Sequence, residues 1–219
     1  MKKLILLPLF LLMVLATFAQ SEKYTKVMQE KIAQLDSTLT VAGLTELSAA
    51  FERIAEAEKN QWQPYYYAAY TKALSGYMAM EGNMQGGMAA TLDPIAEKAE
   101  QLLNKSDGLN KENSEIWLVK KMIASLKMMG DPMNRYMQYG PEAAAALERA
   151  KKLNPENPRV YLLEGQDKFY TPEQFGGSKA EAKKLFELAL QKFETFKPQH
   201  ALDPNWGKPA AEYFLSQAK

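Results

Sequence analysis

The chain has 219 residues, of which 47% are hydrophobic and 24% are charged, and its formal net charge is +1. This composition is typical of a globular protein and excludes a disordered chain. A net charge so close to zero gives no general attraction to nucleic acid, so we expect no nucleic-acid partner. The sequence contains no cysteine, which excludes disulfides, thiol nucleophiles and thiolate metal ligands.

The first element in chain order is the apolar segment MKKLILLPLFLLMVLATFAQ. Lys2 and Lys3 precede an apolar run from Leu4 to Leu15, and Ala19 supplies a small residue for cleavage. This pattern predicts a secretory signal peptide over residues 1–19. The alternative, a membrane anchor, is disfavoured because the run is shorter than the roughly 20 residues that a spanning helix needs. Bacterial lipoproteins are anchored through a cysteine, so we expect a soluble periplasmic or secreted protein, neither a lipoprotein nor inserted in a membrane after cleavage.

The remainder, residues 20–219, is rich in helix-forming residues and has no alternating strand pattern. We therefore predict one all-α domain built from pairs of helices. The predicted pairs are 23–35 with 44–59, 64–80 with 94–105, 113–129 with 141–153, and 157–170 with 178–195. The final segment, GKPAAEYFLSQAK, is predicted to be a helix that covers the last open face of the stack.

An internal repeat relates these pairs to one another. The stretch AEQLLNKSDGLNKENSEIWL (99–118) aligns without a gap on AAAALERAKKLNPENPRVYL (143–162), an offset of 44 residues. In each unit a small residue, a large residue four positions later and a small residue three positions after that share one helix face. These sets are Ala99, Leu103, Ser106; Ala143, Leu147, Ala150; and Ala182, Phe186, Ala189, with Leu47, Phe51, Ile54 as a looser copy in the first unit. An aromatic residue opens the helix that follows each of the first three of these four units: Tyr65, Trp117 and Tyr161.

This pattern resembles the tetratricopeptide repeat family. The second helix matches at Ala143, Leu147, Ala150 and Pro155, and the first helix matches at Tyr161 with Gly165. The resemblance implies a right-handed α-solenoid of about four helical hairpins with a C-terminal capping helix. Longer phrases such as FERIAEAEKNQWQPYYYAAY are similar to those of small exported bacterial repeat proteins without assigned function, so the resemblance supplies no activity.

The repeat is longer than the family unit, which has about 34 residues. The ten extra residues of a 44-residue period fall between the paired helices, in the stretch DPMNRYMQYGP (131–141). The segments 76–94 and 170–178 are the corresponding stretches of the neighbouring units. We therefore predict an enlarged turn within each of these hairpins.

The resemblance also implies a binding surface, because the first helices of such hairpins line a concave groove. We predict that this groove engages an unidentified peptide or protein partner, as an apolar and aromatic lining favours. The alternative is that a terminal segment of the chain itself fills the groove. Counting from the aligned aromatic residues, the predicted lining is Tyr66, Tyr70, Leu118, Met122, Gln166, Phe169 and Tyr170.

Arg135, within the predicted turn 131–141, is a separate candidate. Its guanidinium is suited to a bidentate contact with a carboxylate of a ligand. The alternative is that it ties the turn down through backbone carbonyls or a neighbouring glutamate.

An alternative function is a periplasmic carrier of a small molecule or of copper, using methionine-rich turns. Thioethers bind Cu(I), although methionine also fills irregular gaps in packing. These methionines are Met78, Met80, Met84 and Met88 in one turn and Met128, Met129, Met133 and Met137 in the next.

We expect no catalytic residue, no metal site and no cofactor, and a monomeric protein that is not an enzyme. The sequence has a single histidine, His200, in a proline-bounded segment near the C-terminus. Ser178 follows Gly176 and Gly177 and is able to contact phosphate at a helix start. It is better explained as a helix N-cap.

Overall fold

The protein was analysed as a computed structural model that describes residues 22–80 and 87–218. The predicted signal peptide, residues 1–19, lies outside these ranges. Within them the chain forms helices and no strand, which confirms the all-α prediction. The helices are α1 (22–32), α2 (Val41–Glu58), α3 (Trp62–Met80), α4 (Ala89–Leu109), α5 (Ser114–Gly130), α6 (Pro132–Leu153), α7 (Pro158–Tyr170), α8 (Lys179–Thr195) and α9 (Lys208–Gln217). None of these described helices has the length and apolarity that crossing a membrane requires.

Polar side chains fix where several helices begin. The side-chain oxygens of Thr40, Asn113 and Asn157 accept hydrogen bonds from backbone N–H groups in the first turns of α2, α5 and α7. Ser178 does the same for the N–H of Glu181, so its prediction as an N-cap is confirmed. Each such bond satisfies a donor that the helix itself leaves without a partner.

Each helix from α2 to α9 contacts the next one along the chain, and α3, α5, α7 and α9 also contact one another in series. The repeated small residues permit this close packing. A Cβ atom built on Gly165 of α7 would lie 2.6 Å from Cε1 of Phe186 on α8. Ala182, Phe186 and Ala189 are fully buried, as the repeat predicts for the face between the helices.

The prediction of an enlarged turn over residues 131–141 is wrong. Helix α5 ends at Gly130 and α6 begins at Pro132, so Asp131 alone separates them. Pro132 stands at a position where a helix needs no N–H donor, and α6 continues through Pro141, which removes one backbone hydrogen bond. The extra residues of this unit therefore lengthen a helix instead of a turn.

The neighbouring units differ from this one. Between α7 and α8 the prediction is confirmed, because residues 171–178 form a long connection with one short 3-10 turn at Glu173–Phe175. The connection between α3 and α4 covers residues 81–88, of which 81–86 lie outside the described ranges. The stretch over which the sequence predicted a turn in this unit begins inside α3 and ends inside α4.

Candidate functional site

The predicted groove is filled near α3 by the connection between α8 and α9 (residues 196–207). The ring of Trp206 stacks on the ring of Tyr70, with centroids 4.4 Å apart. Its Nε1 donates a hydrogen bond of 2.8 Å to the hydroxyl oxygen of Tyr66. Both tyrosines are buried as a result. In this part of the groove, a segment near the C-terminus of the chain itself occupies the surface, as the alternative interpretation of the sequence stated.

The structure divides the remaining predicted groove residues. Leu118 and Met122 are buried in α5, where the Met122 carbonyl accepts a hydrogen bond from the Tyr77 hydroxyl. Gln166 and Phe169 are half-buried on α7, and Tyr170 is 51% exposed. The rings of Phe169 and Tyr170 both contact the ring of Phe214 on α9.

A buried ion pair lies beside Tyr66. The side chain of Arg159 is fully buried, and its Nη2 lies 2.6 Å from Oε1 of Glu115. Asn157 donates a hydrogen bond of 2.7 Å to the same carboxylate, and Nη1 of Arg159 donates to the Trp206 carbonyl. Burial alone would lower the pKa of Arg159, but the charge and hydrogen bonds of Glu115 outweigh it and hold that pKa above its ordinary value.

This network was missed in the sequence, although a signal for it is present. Glu115 and Arg159 are 44 residues apart and therefore occupy equivalent positions in neighbouring repeats. Each lies two residues after an asparagine N-cap, Asn113 or Asn157. Opposite charges at matching positions of stacked units predict an ion pair between those units. The network engages the polar groups of Arg159 within the protein and fastens the α8–α9 connection to α5 and α7.

Arg135 is likewise engaged within the protein. Its two terminal nitrogens donate to the two carboxylate oxygens of Asp93 at 2.5 and 2.8 Å, and one of them also donates to the Lys127 carbonyl. These contacts tie the first turn of α6 to the first turns of α4, and they hold the pKa of Asp93 below its ordinary value through the Arg135 hydrogen bonds. Arg135 therefore has the tying role that was one of the two interpretations of the sequence.

The methionines of the predicted turns are divided between the surface and the core. Met133 and Met137 are 91% and 83% exposed on α6, whereas Met88 and Met129 pack against the core. Met84 lies outside the described ranges. His200 is exposed in the α8–α9 connection. Among the residues that the structure describes, no group of three or more His, Asp or Glu side chains is arranged to hold a metal ion.

A cavity with a volume of about 530 Å³ lies between α1 and α2. Its apolar lining comes from small and branched side chains, and three cations and one acid complete it. The lining residues are Lys23, Tyr24, Val27, Lys31, Ala50, Arg53, Ile54, Ala57 and Glu58. We call this space the α1–α2 cavity.

Two polar features of the α1–α2 cavity distinguish it. Lys23, Lys31 and Arg53 form no ion pair with any other described residue. The hydroxyl oxygen of Tyr24 is buried and has no hydrogen-bond partner among the described residues. Burial, and secondarily the charge of Glu58, raise the pKa of Tyr24, so its phenol is neutral at physiological pH.

A smaller cavity of about 230 Å³ lies among α4, α5 and α6. Its charged lining residues are Glu100, Lys120 and Glu142. Lys120 pairs with Asp107, and Glu100 pairs with Lys127. The acids outnumber the cation in this lining, which is the opposite of the α1–α2 cavity.

Comparison with solved structures shows that this chain is similar to the HusA haemophore from Porphyromonas gingivalis. That protein is 34% identical to this chain, the alignment covers 90% of this chain and 92% of HusA, and the TM-score is 0.76. This chain belongs to the HusA haemophore family. No model of a protein family matches the chain, and a search of curated proteins gives no match.

Similarity to HusA over almost the whole chain corrects the predicted function. A haemophore points to a small molecule as the bound species, so the prediction of a scaffold that engages a peptide or protein partner is wrong. The physical reason is visible in the groove, where Trp206 occupies the surface around Tyr66 and Tyr70 that a partner would need.

Proposed function

We propose that this protein binds haem as cargo. The observation that carries the proposal is the 34% identity to the HusA haemophore across 90% of this chain, with a TM-score of 0.76. Identity at this level over about nine-tenths of both chains makes a shared ligand class more economical than a change of function on the same helices. Haem is here the carried molecule and not a catalytic cofactor, and we propose no enzymatic activity.

The geometry supports a small ligand of this size. Pockets for ligands of drug-like size have volumes of about 300–1,000 Å³. The α1–α2 cavity, at about 530 Å³, lies within that range. The cavity among α4, α5 and α6, at about 230 Å³, lies below it.

The composition of the chain limits which side chains would hold the haem iron. Haem iron is held in proteins by histidine, cysteine, methionine or tyrosine side chains. This sequence has no cysteine, and His200 is an exposed residue of the α8–α9 connection. Tyrosine and methionine are therefore the side chains that could approach iron from within the helical body.

Further proposals concern architecture and location. We propose that α1 to α8 form four tetratricopeptide-like pairs in a right-handed solenoid that α9 caps, which is supported by the serial contacts of α3, α5, α7 and α9. We also propose that the chain is exported through the segment 1–19 and acts as a monomer. Membership of the HusA haemophore family supports export, because a haemophore acts on haem outside the cell.

Titration of the mature chain, residues 20–219, with ferric haem tests the function. We expect a saturable shift of the Soret band with one haem per chain and a Kd on the order of 1 µM or tighter, equivalent to about 8 kcal/mol. The same chain unfolded in urea is the control for non-specific adsorption of haem. A spectrum that remains that of free haem at every protein concentration would overturn the proposal.

A further inference from the structure

Resting on the proposed function, we propose that haem binds in the α1–α2 cavity, with its propionate carboxylates against Lys23, Lys31 and Arg53. The ring would lie against the apolar lining that Val27, Ala50 and Ile54 provide. This assignment names the site and the part of the ligand that each group of side chains recognises.

The charge of the cavity matches the ligand. Haem is a flat, largely apolar ring with two carboxylates on one edge. Three cations and one acid, Glu58, line the α1–α2 cavity, so its lining carries a net charge of +2 (3 − 1). The cavity among α4, α5 and α6 has one cation and two acids, or −1 (1 − 2), and would repel carboxylates.

The cations of the α1–α2 cavity are also free to bind. Glu52 and Glu56 of α2 form ion pairs with Lys98 and Lys105 of α4. Arg53 lies between these two acids in the sequence, yet it forms no ion pair with a described residue. Lys31 makes one weak contact of 3.3 Å with the side chain of Gln34. A ligand carboxylate therefore meets charged groups that need not first break an ion pair.

Tyr24 contributes to the same wall. It is 8% exposed, and its hydroxyl oxygen is buried away from solvent with no hydrogen-bond partner among the described residues. Recognition of the carboxylates therefore rests on the three cations and not on this hydroxyl.

The test compares two triple variants of equal charge change. K23Q/K31Q/R53Q removes the cavity cations, whereas K111Q/K183Q/K184Q removes three exposed lysines that lie outside both cavities. Exposed ion pairs change an affinity by up to about fivefold each, so we expect haem binding at least about tenfold weaker in the first variant. The second variant should differ from the wild type by less than about twofold.

Haem dimethyl ester, in which both carboxylates are blocked, isolates the contact. We expect the cavity-cation variant and the wild type to bind this ester equally, because the substituted side chains no longer have a carboxylate to contact. An ester affinity that falls by the same factor as the haem affinity would overturn the assignment of the carboxylates.

A third variant tests the position of the ring. Ala50→Trp fills the cavity from α2, and we expect it to abolish saturable haem binding while circular dichroism shows unchanged helix content. If the Ala50→Trp variant and the cavity-cation variant both bind haem with the affinity of the wild type, haem binds elsewhere on the protein and the proposed function stands. A wild-type chain that does not bind haem would overturn both.

Discussion

The indole Nε1 of Trp206 donates a hydrogen bond of 2.8 Å to the hydroxyl oxygen of Tyr66, although 140 residues separate them. The same indole ring stacks on Tyr70. Trp206 is 8% exposed, so it belongs to the core and not to a loose tail. The C-terminal part of the chain therefore stabilises the third helix, and its removal would affect the whole domain.

Two substitutions of Trp206 separate the contribution of its ring to stability from that of its hydrogen bond. We expect Trp206→Phe to lower the free energy of unfolding by about 1–2 kcal/mol, because the stack on Tyr70 is kept and the Tyr66 hydrogen bond is lost. Trp206→Ala leaves a cavity as well and should cost about 3–5 kcal/mol. Urea unfolding followed by circular dichroism measures both. Equal losses for the two variants would show that the ring itself contributes nothing.

The ion pair between Glu115 and Arg159 gives a second prediction. Glu115→Gln removes the charge that compensates a fully buried guanidinium, and such a change costs about 3–5 kcal/mol. Replacing both residues with leucine should restore much of that loss, because no buried charge then remains. The measurement is again the free energy of unfolding in urea.

The exposed pair Lys152–Glu148 is the matched control. Both side chains are more than half exposed, at 66% and 59%. Glu148→Gln should therefore change the free energy of unfolding by less than about 0.5 kcal/mol. If Glu115→Gln were as mild as Glu148→Gln, the buried pair would not be holding the α8–α9 connection in place.

Substitution of two helical glycines by alanine gives a third prediction, in which one change destabilises the protein and the other stabilises it. Gly165→Ala places a Cβ 2.6 Å from Cε1 of Phe186, and overpacking of this kind costs about 1–3 kcal/mol. Gly108 lies within α4 and a Cβ there meets nothing within 4 Å. Gly108→Ala should therefore stabilise the protein, by up to about 1 kcal/mol. The temperature of thermal unfolding should fall for Gly165→Ala and rise for Gly108→Ala. An unchanged or higher unfolding temperature for Gly165→Ala would contradict the packing described for α7 and α8.

The sequence predicts the helical pairs well because their signals are local and periodic. The small–large–small sets are spaced to share one helix face, and the burial of Ala182, Phe186 and Ala189 follows from that spacing. Gly165 opposite Phe186 is the same pattern seen from the facing helix. These features depend on residues close together in the chain, and no knowledge of the overall shape is needed to read them.

Two features could not be predicted in this way. The stretch 131–141 has two prolines, which favour a turn locally, yet it is helical, and Arg135 ties it to Asp93 of α4 and to the Lys127 carbonyl of α5. The α8–α9 connection has no periodicity, so nothing in the sequence indicates that Trp206 reaches Tyr66. The α1–α2 cavity is also hidden, because exposed cations such as Lys23 and Arg53 are indistinguishable from ordinary surface charges until the two helices are placed together.

Buried tyrosines give the last prediction, which concerns alkaline pH. Burial is the main cause that raises the pKa values of Tyr66, Tyr67 and Tyr70 above the ordinary value of 10.0. Above about pH 10 the unfolded chain loses these protons while the folded chain retains them, so the stability present below pH 10 is lost as the pH rises. Each tyrosine costs about 1.4 kcal/mol per pH unit, so the three together cost about 4 kcal/mol by pH 11.

Tyr67→Phe tests this contribution without disturbing a hydrogen bond, because the buried Tyr67 hydroxyl has no partner in the part of the chain that the structure describes, while its ring stacks on Phe51. We expect the variant to be at least as stable as the wild type at pH 7. Above pH 10, the loss of unfolding free energy that Tyr66, Tyr67 and Tyr70 together cause should be about one third smaller in the variant, because one of the three hydroxyls is absent. Tyr136→Phe, at a side chain that is 58% exposed, is the control and should leave the curve unchanged. Urea unfolding at pH 7, 10 and 11 decides the matter: identical slopes for the wild type and Tyr67→Phe would mean that the hydroxyl is not shielded from water in the folded protein.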